Sequence, residues 1–317
     1  MAQRAEVRGE MNLVKLVERF RSDDACRDYL IHLRWPEGVR CLRCGFDKLS
    51  RIGWPTDPTA KGRRQFDCNS CRYRFSATAG TVFHDSHLPL WKWFLAIYMM
   101  CESKKGISAN QLKRTLGVSY KTAWYLCHRI RSAMEEASPE MLSGIVEADE
   151  TYVGGKTHSR SPREQAKNRL KNKTIVLGAL ERDGELRVRV VRDVRQETIH
   201  GFLRDSVADE AEAIYTDSHH SYRGIADEDT RHEWVNHTID EWVRGDVTTN
   251  GIESAWSLLK RSIVGSYHQL SAKHLQAYVD EFAFRFNNRE NPWLFRDTLR
   301  RLIQADALTY RQLVASG

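Results

Sequence analysis

The chain has 317 residues, 41% of them apolar, and a net charge of +7, enough length for two or three folded units. No apolar run reaches the roughly eighteen residues of a membrane span, and the opening MAQRAEVRGEMNLVKL has no apolar targeting core, so neither a signal peptide nor a membrane anchor is expected and a cytoplasmic protein is. The charge is uneven: residues 1–145 hold 24 Lys/Arg against 15 Asp/Glu, whereas residues 146–317 hold 25 against 27. A basic front half joined to a nearly neutral back half suggests a polyanion-binding module, the alternative being a solvated basic surface with no partner.

MNLVKLVERFRSDDACRDYLIHLRW reads as two short helices, the second capped by Ser22 and turning Cys26, Tyr29, Leu30 and Leu33 inward. Four of the seven cysteines then form two pairs, Cys41-x2-Cys44 and Cys68-x2-Cys71, with 23 residues between them. This is the spacing of a zinc ribbon, in which two tight knuckles supply four thiolates to a structural Zn²⁺. After the second knuckle YRFSATAGTVF (73–83) alternates like a strand. Cys26, Cys101 and Cys127 sit in apolar, helix-like settings and read as small core residues.

LPLWKWFLAIYMMCES (88–103) is an apolar helix opened by Pro89, with Trp91, Trp93 and Phe94 assigned to the core. A helix from Ser108 to Leu116, a turn at Gly117-Val118 and a second helix capped by Ser119 and running to about Met134 follow. That is the layout of a helix-turn-helix, with a plain helical hairpin as the alternative. Ala123, Leu126, Cys127 and Ile130 face inward in this reading. Tyr120, Lys121, Thr122, Tyr125, His128 and Arg129 are left as candidate DNA contacts.

From residue 145 the texture changes. GIVEADETYVGG reads as a strand, and KTIVLGALERDGELRVRVVRDV as a hairpin turning at Asp183-Gly184. A helix over Thr198–Val207, a strand ending in YTD, a further strand in RHEWVNHT and the helix NGIESAWSLLKR complete an α/β order that fits an RNase H-like fold, among other α/β folds. Asp149 lies in the first strand and Asp217 at the end of a later one, and Glu253 follows after 35 residues on a helix. Three hard oxygen ligands from separate elements suit Mg²⁺ or Mn²⁺ and phosphodiester chemistry. Each has a plainer reading: Glu147 and Glu150 make Asp149 part of a solvated acidic edge, Asp217 caps a turn with Ser218, and Glu253 closes a capping box with Asn250. His219 and His220 add polar groups beside Asp217 without being assigned as ligands. Lys260, two helical turns after Glu253, shares its face and suits a phosphate contact. Seven basic residues against one acidic between Lys156 and Lys173 read as a loop that touches a nucleic-acid backbone, with Lys156 as a DNA contact.

CLRCG, CNSCRYRFSATAGTVFHDSHLPLWKWF, EADETYVGGK, YTDSHHSY, VRGDVTTNGIESAWSLLKR and FRFNNR together resemble the bacterial insertion-sequence transposases with an N-terminal zinc ribbon, a group related to the Merlin elements of eukaryotes. The resemblance implies a DDE-type DNA transposase with an α/β, RNase H-like catalytic domain over residues 141–317. Helices and a zinc ribbon (1–86) and a helix-turn-helix domain (87–140) would precede it. It implies Asp149, Asp217 and Glu253 as ligands of catalytic Mg²⁺ or Mn²⁺, Lys260 beside them, and Cys41, Cys44, Cys68 and Cys71 on zinc. Some relatives carry asparagine as the third acid, which leaves Asn250 as a rival to Glu253. Double-stranded DNA is the implied partner, as terminal inverted repeats and as target, with a homodimer or higher oligomer on DNA in a nucleoid setting. A zinc-ribbon regulator with an inactive transposase domain and a structure-selective nuclease are the competing readings.

Overall fold

A computed structural model describes residues 11–54, 64–135, 139–154, 173–226 and 230–315. The chain divides into two compact units, one comprising Met1–Glu102, Ala109–Met134 and Asn291–Ser316, the other Ser103–Ser108 and Glu135–Glu290. No helix among the described residues is long and apolar enough to cross a membrane.

In the first unit α1 (Leu13–Arg19) and α2 (Asp23–Arg34) are as expected, and Ser22 Oγ accepts from the Ala25 N–H to cap α2. An antiparallel sheet of β1 (Leu49–Ile52), β2 (Gln65–Cys68) and β3 (Arg74–Phe75) carries the cysteine knuckles. β3 is far shorter than the alternation over 73–83 suggests. Hydroxyls take over the bonding after Phe75: Ser76 meets Thr78 at 3.0 Å and Thr81 donates to the Thr78 carbonyl at 2.8 Å, which turns the chain away from the sheet.

Three further helices follow: α3 (Leu90–Glu102), α4 (Ala109–Leu116) and α5 (Tyr120–Arg131). Trp93 and Phe94 are buried in α3 as expected, but Trp91 is 40% exposed. Gly117 takes a φ of +61° between α4 and α5, a left-handed turn that suits glycine, and Ser119 Oγ caps α5 by accepting from the Thr122 N–H.

The second unit is a five-stranded sheet with helices on both faces. Its strands are β4 (Ile145–Gly154), β5 (Lys173–Glu181), β6 (Leu186–Val191), β7 (Ala213–Asp217) and β8 (Arg231–Val235), in the spatial order β6-β5-β4-β7-β8. β4, β5 and β6 are antiparallel neighbours, and β7 and β8 run parallel to β4. The β5–β6 turn falls at the expected Asp183-Gly184, with Asp183 at a φ of +58°. One face packs on α6 (Gln196–Arg204) through Ile199, Phe202 and Leu203 against Val146, Ala148, Leu177 and Ile214. The other is covered by α7 (Asn250–Ser262) and α8 (Leu275–Asn287), where Ile252, Trp256, Val279 and Phe282 meet Val153, Val176 and Leu180. The period-two alternation of β4 and β5 therefore divides their side chains between two cores.

The expected domain boundary at the C-terminus is redrawn. α9 (Leu294–Gln304) and α10 (Tyr310–Ala315) belong to the first unit, not to the α/β unit. Phe20 meets Phe94 edge-on at 4.7 Å, Phe295 lies 5.8 Å from Phe94, and Cys101 reaches Thr298 at 3.2 Å. The apolar face of α9 finds its core among the front helices, a long-range pairing that helical periodicity does not specify.

Candidate active site and zinc centre

The α/β unit brings the expected carboxylates to one edge. β4 and β7 pair in parallel with Ile145 opposite Ala213 and Glu147 opposite Tyr215. The same offset sets Asp149 level with Asp217, where β7 ends. α7 crosses that edge with Glu253 in its first turn. Asp149, Asp217, Glu253, Trp256, Lys260 and Arg261 are among the residues that line a cleft of about 800 Å³. Lys260 is exposed on the cleft side of α7, two turns beyond Glu253.

Each carboxylate is held by its own contacts. Asp149 Oδ2 accepts from Trp256 Nε1 at 3.0 Å. That bond depends on Gly178, opposite Asp149 in β5: a Cβ there would lie 2.5 Å from Trp256 Cζ2 and Cη2, so only glycine lets the indole lie so close to the sheet. Asp217 Oδ1 accepts from the His219 N–H at 2.9 Å, so it does close a turn, with His219 in place of Ser218. Glu253 Oε1 takes the Thr249 hydroxyl at 3.1 Å and lies 3.4 Å from His237 Nε2. The His237 ring in turn packs on Trp242 with centroids 4.4 Å apart. Trp256 is a core residue, 3% exposed, that also presents a polar edge to Asp149.

The capping box does not form. Thr249 is the N-cap and Asn250 the first helical residue, so Glu253 stands at the fourth helical position, one beyond the place a capping box requires. The cap comes from the sheet instead. Glu147, expected on a solvated edge, is 3% exposed, and its Oε2 accepts from the Ile252 N–H at 3.0 Å while Oε1 pairs with Arg182 Nε at 3.2 Å. The remaining acidic neighbour, Glu150, accepts from the Tyr222 hydroxyl at 2.9 Å.

The electrostatics of the cleft favour a cation. Burial, followed by the nearby charges of Glu150 and Asp217, pushes Asp149 up to about 7. Burial and Asp217 raise Glu150 in the same direction. Desolvated like charges are costly unless a counter-charge joins them, and hard carboxylate oxygens suit Mg²⁺ or Mn²⁺. Among the described residues, however, only the four cysteines bring three or more ligand atoms within 4.8 Å of one another. The carboxylates share a cleft at a wider spacing, each with its own donor: Trp256 for Asp149, the His219 amide for Asp217 and Thr249 for Glu253.

The zinc centre is tight. Cys41, Cys44, Cys68 and Cys71 place their sulfurs within 4.8 Å of one another, with Cys41–Cys71 and Cys44–Cys68 at 3.6 Å. A tetrahedron with Zn–S bonds of about 2.3 Å requires sulfurs roughly 3.8 Å apart, so the donor set fits the ion. The Arg43 N–H on Cys41 Sγ at 3.4 Å and the Cys71 N–H on Cys68 Sγ at 3.5 Å favour thiolates.

The expected DNA-contacting face of α5 is narrower than its sequence suggests. Tyr120 is 50% exposed, and Lys121 and Thr122 are exposed beside it. Tyr125 spends its hydroxyl on the Leu308 carbonyl at 2.6 Å. His128 and Arg129 are corrected: they are 2% and 5% exposed. The Arg129 guanidinium donates to the Val82 and His84 carbonyls and lies over Trp93. From Leu126 to Arg131 the helix is buried on every side, so its last turn has no outward face. Lys156 and the basic run to 172 lie outside the described residues.

A four-cysteine ribbon followed by an α/β unit with a carboxylate-lined cleft agrees with the class of zinc-ribbon transposases that the family matches show. Residues 21–74 match the transposase zinc-ribbon domain and residues 141–287 the ISXO2-like transposase domain, and the chain belongs to the family that joins these two. A relative from Halobacterium salinarum, described as an uncharacterized protein in transposable element ISH50, is 29% identical over 281 residues, 85% of this chain and 92% of that protein. A chain in the simian T-cell lymphotropic virus intasome in complex with PP2A regulatory subunit B56 gamma aligns over 69% of this chain and 70% of its own, at 14% identity and a TM-score of 0.26. At that score the likeness carries no argument.

Proposed function

We propose that this transposase cuts DNA at the ends of its element and joins them to a target, using Asp149, Asp217 and Glu253 as the ligands of Mg²⁺ or Mn²⁺. The observation that carries the reading is the level placement of Asp149 and Asp217 on adjacent parallel strands, under the helix that brings Glu253 into the same cleft. With the central strand first, antiparallel neighbours on one side and parallel strands on the other, the sheet has the order expected of an RNase H-like fold.

Bound divalent ions would supply Lewis acidity on the attacking and leaving oxygens of an in-line displacement. The protein holds the two aspartates level, so the scissile phosphate sits over the middle of β4 beside the end of β7. In the first step a water oxygen forms a bond to phosphorus and the 3′-oxygen leaves as a hydroxyl. In the second, that hydroxyl attacks a target phosphorus and the target's own 3′-oxygen departs. Lys260, on the cleft rim, holds a neighbouring phosphate by charge. The α4–turn–α5 pair and the ribbon bind the terminal inverted repeats, with Tyr120, Lys121 and Thr122 at the exposed first turn of α5 as the contacts. Joining two ends implies a homodimer or higher oligomer on DNA.

The test is Mg²⁺-dependent cleavage and strand transfer on a duplex carrying the DNA that flanks the gene. Asp149→Ala and Glu253→Gln should each lower turnover by at least a hundredfold while DNA affinity stays within twofold of wild type, because glutamine keeps the shape of glutamate but is a poor Mg²⁺ ligand. Undiminished strand transfer by Glu253→Gln would remove that residue from the ligand set. Binding without cleavage by the wild-type protein would instead favour a DNA-binding regulator.

A further inference from the structure

We propose that Glu147 is a positioning residue, fixing the first turn of α7 to the central strand and so setting where Glu253 stands relative to Asp149 across the cleft. This rests on the assignment of those two carboxylates as ligands. Glu147 is two residues before Asp149, on the same face of β4. The amide it binds belongs to Ile252, the residue before Glu253. One carboxylate therefore touches both scaffolds within two residues of their ligands.

The surroundings are built around that contact. Gly251 has no side chain to intervene: a Cβ there would stand 2.7 Å from Glu147 Oε2 and 3.2 Å from its Cδ. Thr249, the N-cap, gives the helix no side-chain cap because its hydroxyl is turned to Glu253. The N-terminal amides of α7, which carry partial positive charge, are thus met from the sheet by an anion. Arg182 holds Glu147 from behind and also donates to the Asp246 carbonyl at 2.7 Å, tying the segment that leads into α7 to the same anchor. An ion pair with one partner buried and the other partly exposed gives little net stability on its own. Its placement here acts on geometry, and loss of a residue that orients metal ligands typically weakens metal affinity about 10- to 100-fold.

The experiment uses the full, zinc-loaded chain without DNA and reads Mn²⁺ affinity by EPR titration, alongside amide exchange at Ile252. Wild type should bind Mn²⁺, and Asp149→Asn should lose that binding. Glu147→Ala should weaken it at least tenfold and release the Ile252 amide, with the melting temperature of the ribbon unchanged. Glu147→Gln, which keeps an acceptor for Ile252 but drops the ion pair, should fall between. If Asp149→Asn abolishes binding while Glu147→Ala binds as wild type, the positioning role is wrong and the ligand assignment stands. If Asp149→Asn binds as wild type, the ligand assignment fails and takes this inference with it. Should Glu147→Ala not fold, Gly251→Ala decides: it leaves every charge in place and pushes the helix off Glu147, so unchanged Mn²⁺ affinity there overturns the proposal.

Discussion

Gly178→Ala tests whether the sheet was cut away to admit Trp256 to Asp149. The added methyl would stand 2.5 Å from two indole carbons and 3.1 Å from Ile252 Cδ1, where carbon atoms rest about 3.5–4.0 Å apart. The ring must retreat by roughly 1 Å, which stretches the 3.0 Å bond from Nε1 to Asp149 Oδ2 beyond hydrogen-bonding range. Overpacking of this kind costs about 1–3 kcal/mol, and the lost bond to a carboxylate adds about 1.5–3 kcal/mol at most. Urea unfolding followed for the α/β unit should therefore show Gly178→Ala less stable by about 2.5–6 kcal/mol. Cleavage should fall with it, since Asp149 loses the group that orients it. The cause is isolated by a double-mutant cycle with Trp256→Leu: the smaller side chain vacates the space, so Gly178→Ala in that background should cost well under 1 kcal/mol. Equal penalties in both backgrounds, within about 0.5 kcal/mol, would refute the argument, because a general dislike of alanine in that strand predicts additivity.

Two further outcomes are expected. Chelating the zinc, or Cys68→Ser, should melt the three-stranded sheet, because its own core is little more than Phe66, Phe75 and Ala79 with Trp35 and Trp54 packed around them; loss of one equivalent of zinc should coincide with a change in tryptophan emission. Asp280 on α8 is pushed up to about 7, chiefly by burial, with Glu135 adding to the rise and the Gln276 side chain opposing it. The unfolded chain then ionises this carboxyl near its ordinary 3.8 while the folded chain holds the proton, so stability falls as pH rises from about 4 and the loss is complete above about 7. Asp280→Asn should raise the melting temperature at pH 8 and leave it unchanged at pH 4, a difference read by thermal scans across that range.

What the sequence announced and what it hid follow one division. Spacing within a short segment is visible: the CxxC pairs, the Asp183-Gly184 turn, the caps at Ser22 and Ser119, and a strand ending in Asp217 all depend on neighbours along the chain. Partners from distant segments are not. α9 carries an apolar stripe that predicts a helix, yet nothing in residues 294–304 says that the stripe meets Phe94 and Cys101. His128 and Arg129 occupy positions that a simple helical wheel turns outward, but the last turn of α5 is enclosed on every side, and the Arg129 guanidinium is consumed by the Val82 and His84 carbonyls.

The helix NGIESAWSLLKR shows why this matters for the site. Read locally, Asn250 and Glu253 satisfy a capping rule, and that rule explains both residues without any ligand. The cap begins one residue earlier, at Thr249, and the shift frees Glu253 from the backbone and gives its carboxylate to the cleft. The register is imposed from the sheet, where Glu147 receives the Ile252 amide and Gly178 makes room for Trp256. Both devices are single residues on strands, 105 and 78 positions away from the helix residues they serve, and each looks like an ordinary strand residue in its own segment. Alternation along β4 and β5 states which face Glu147 and Gly178 occupy. Only the helix that crosses that face gives either residue its task, and for this reason the glutamate that looked like part of a solvated edge became the anchor of the site.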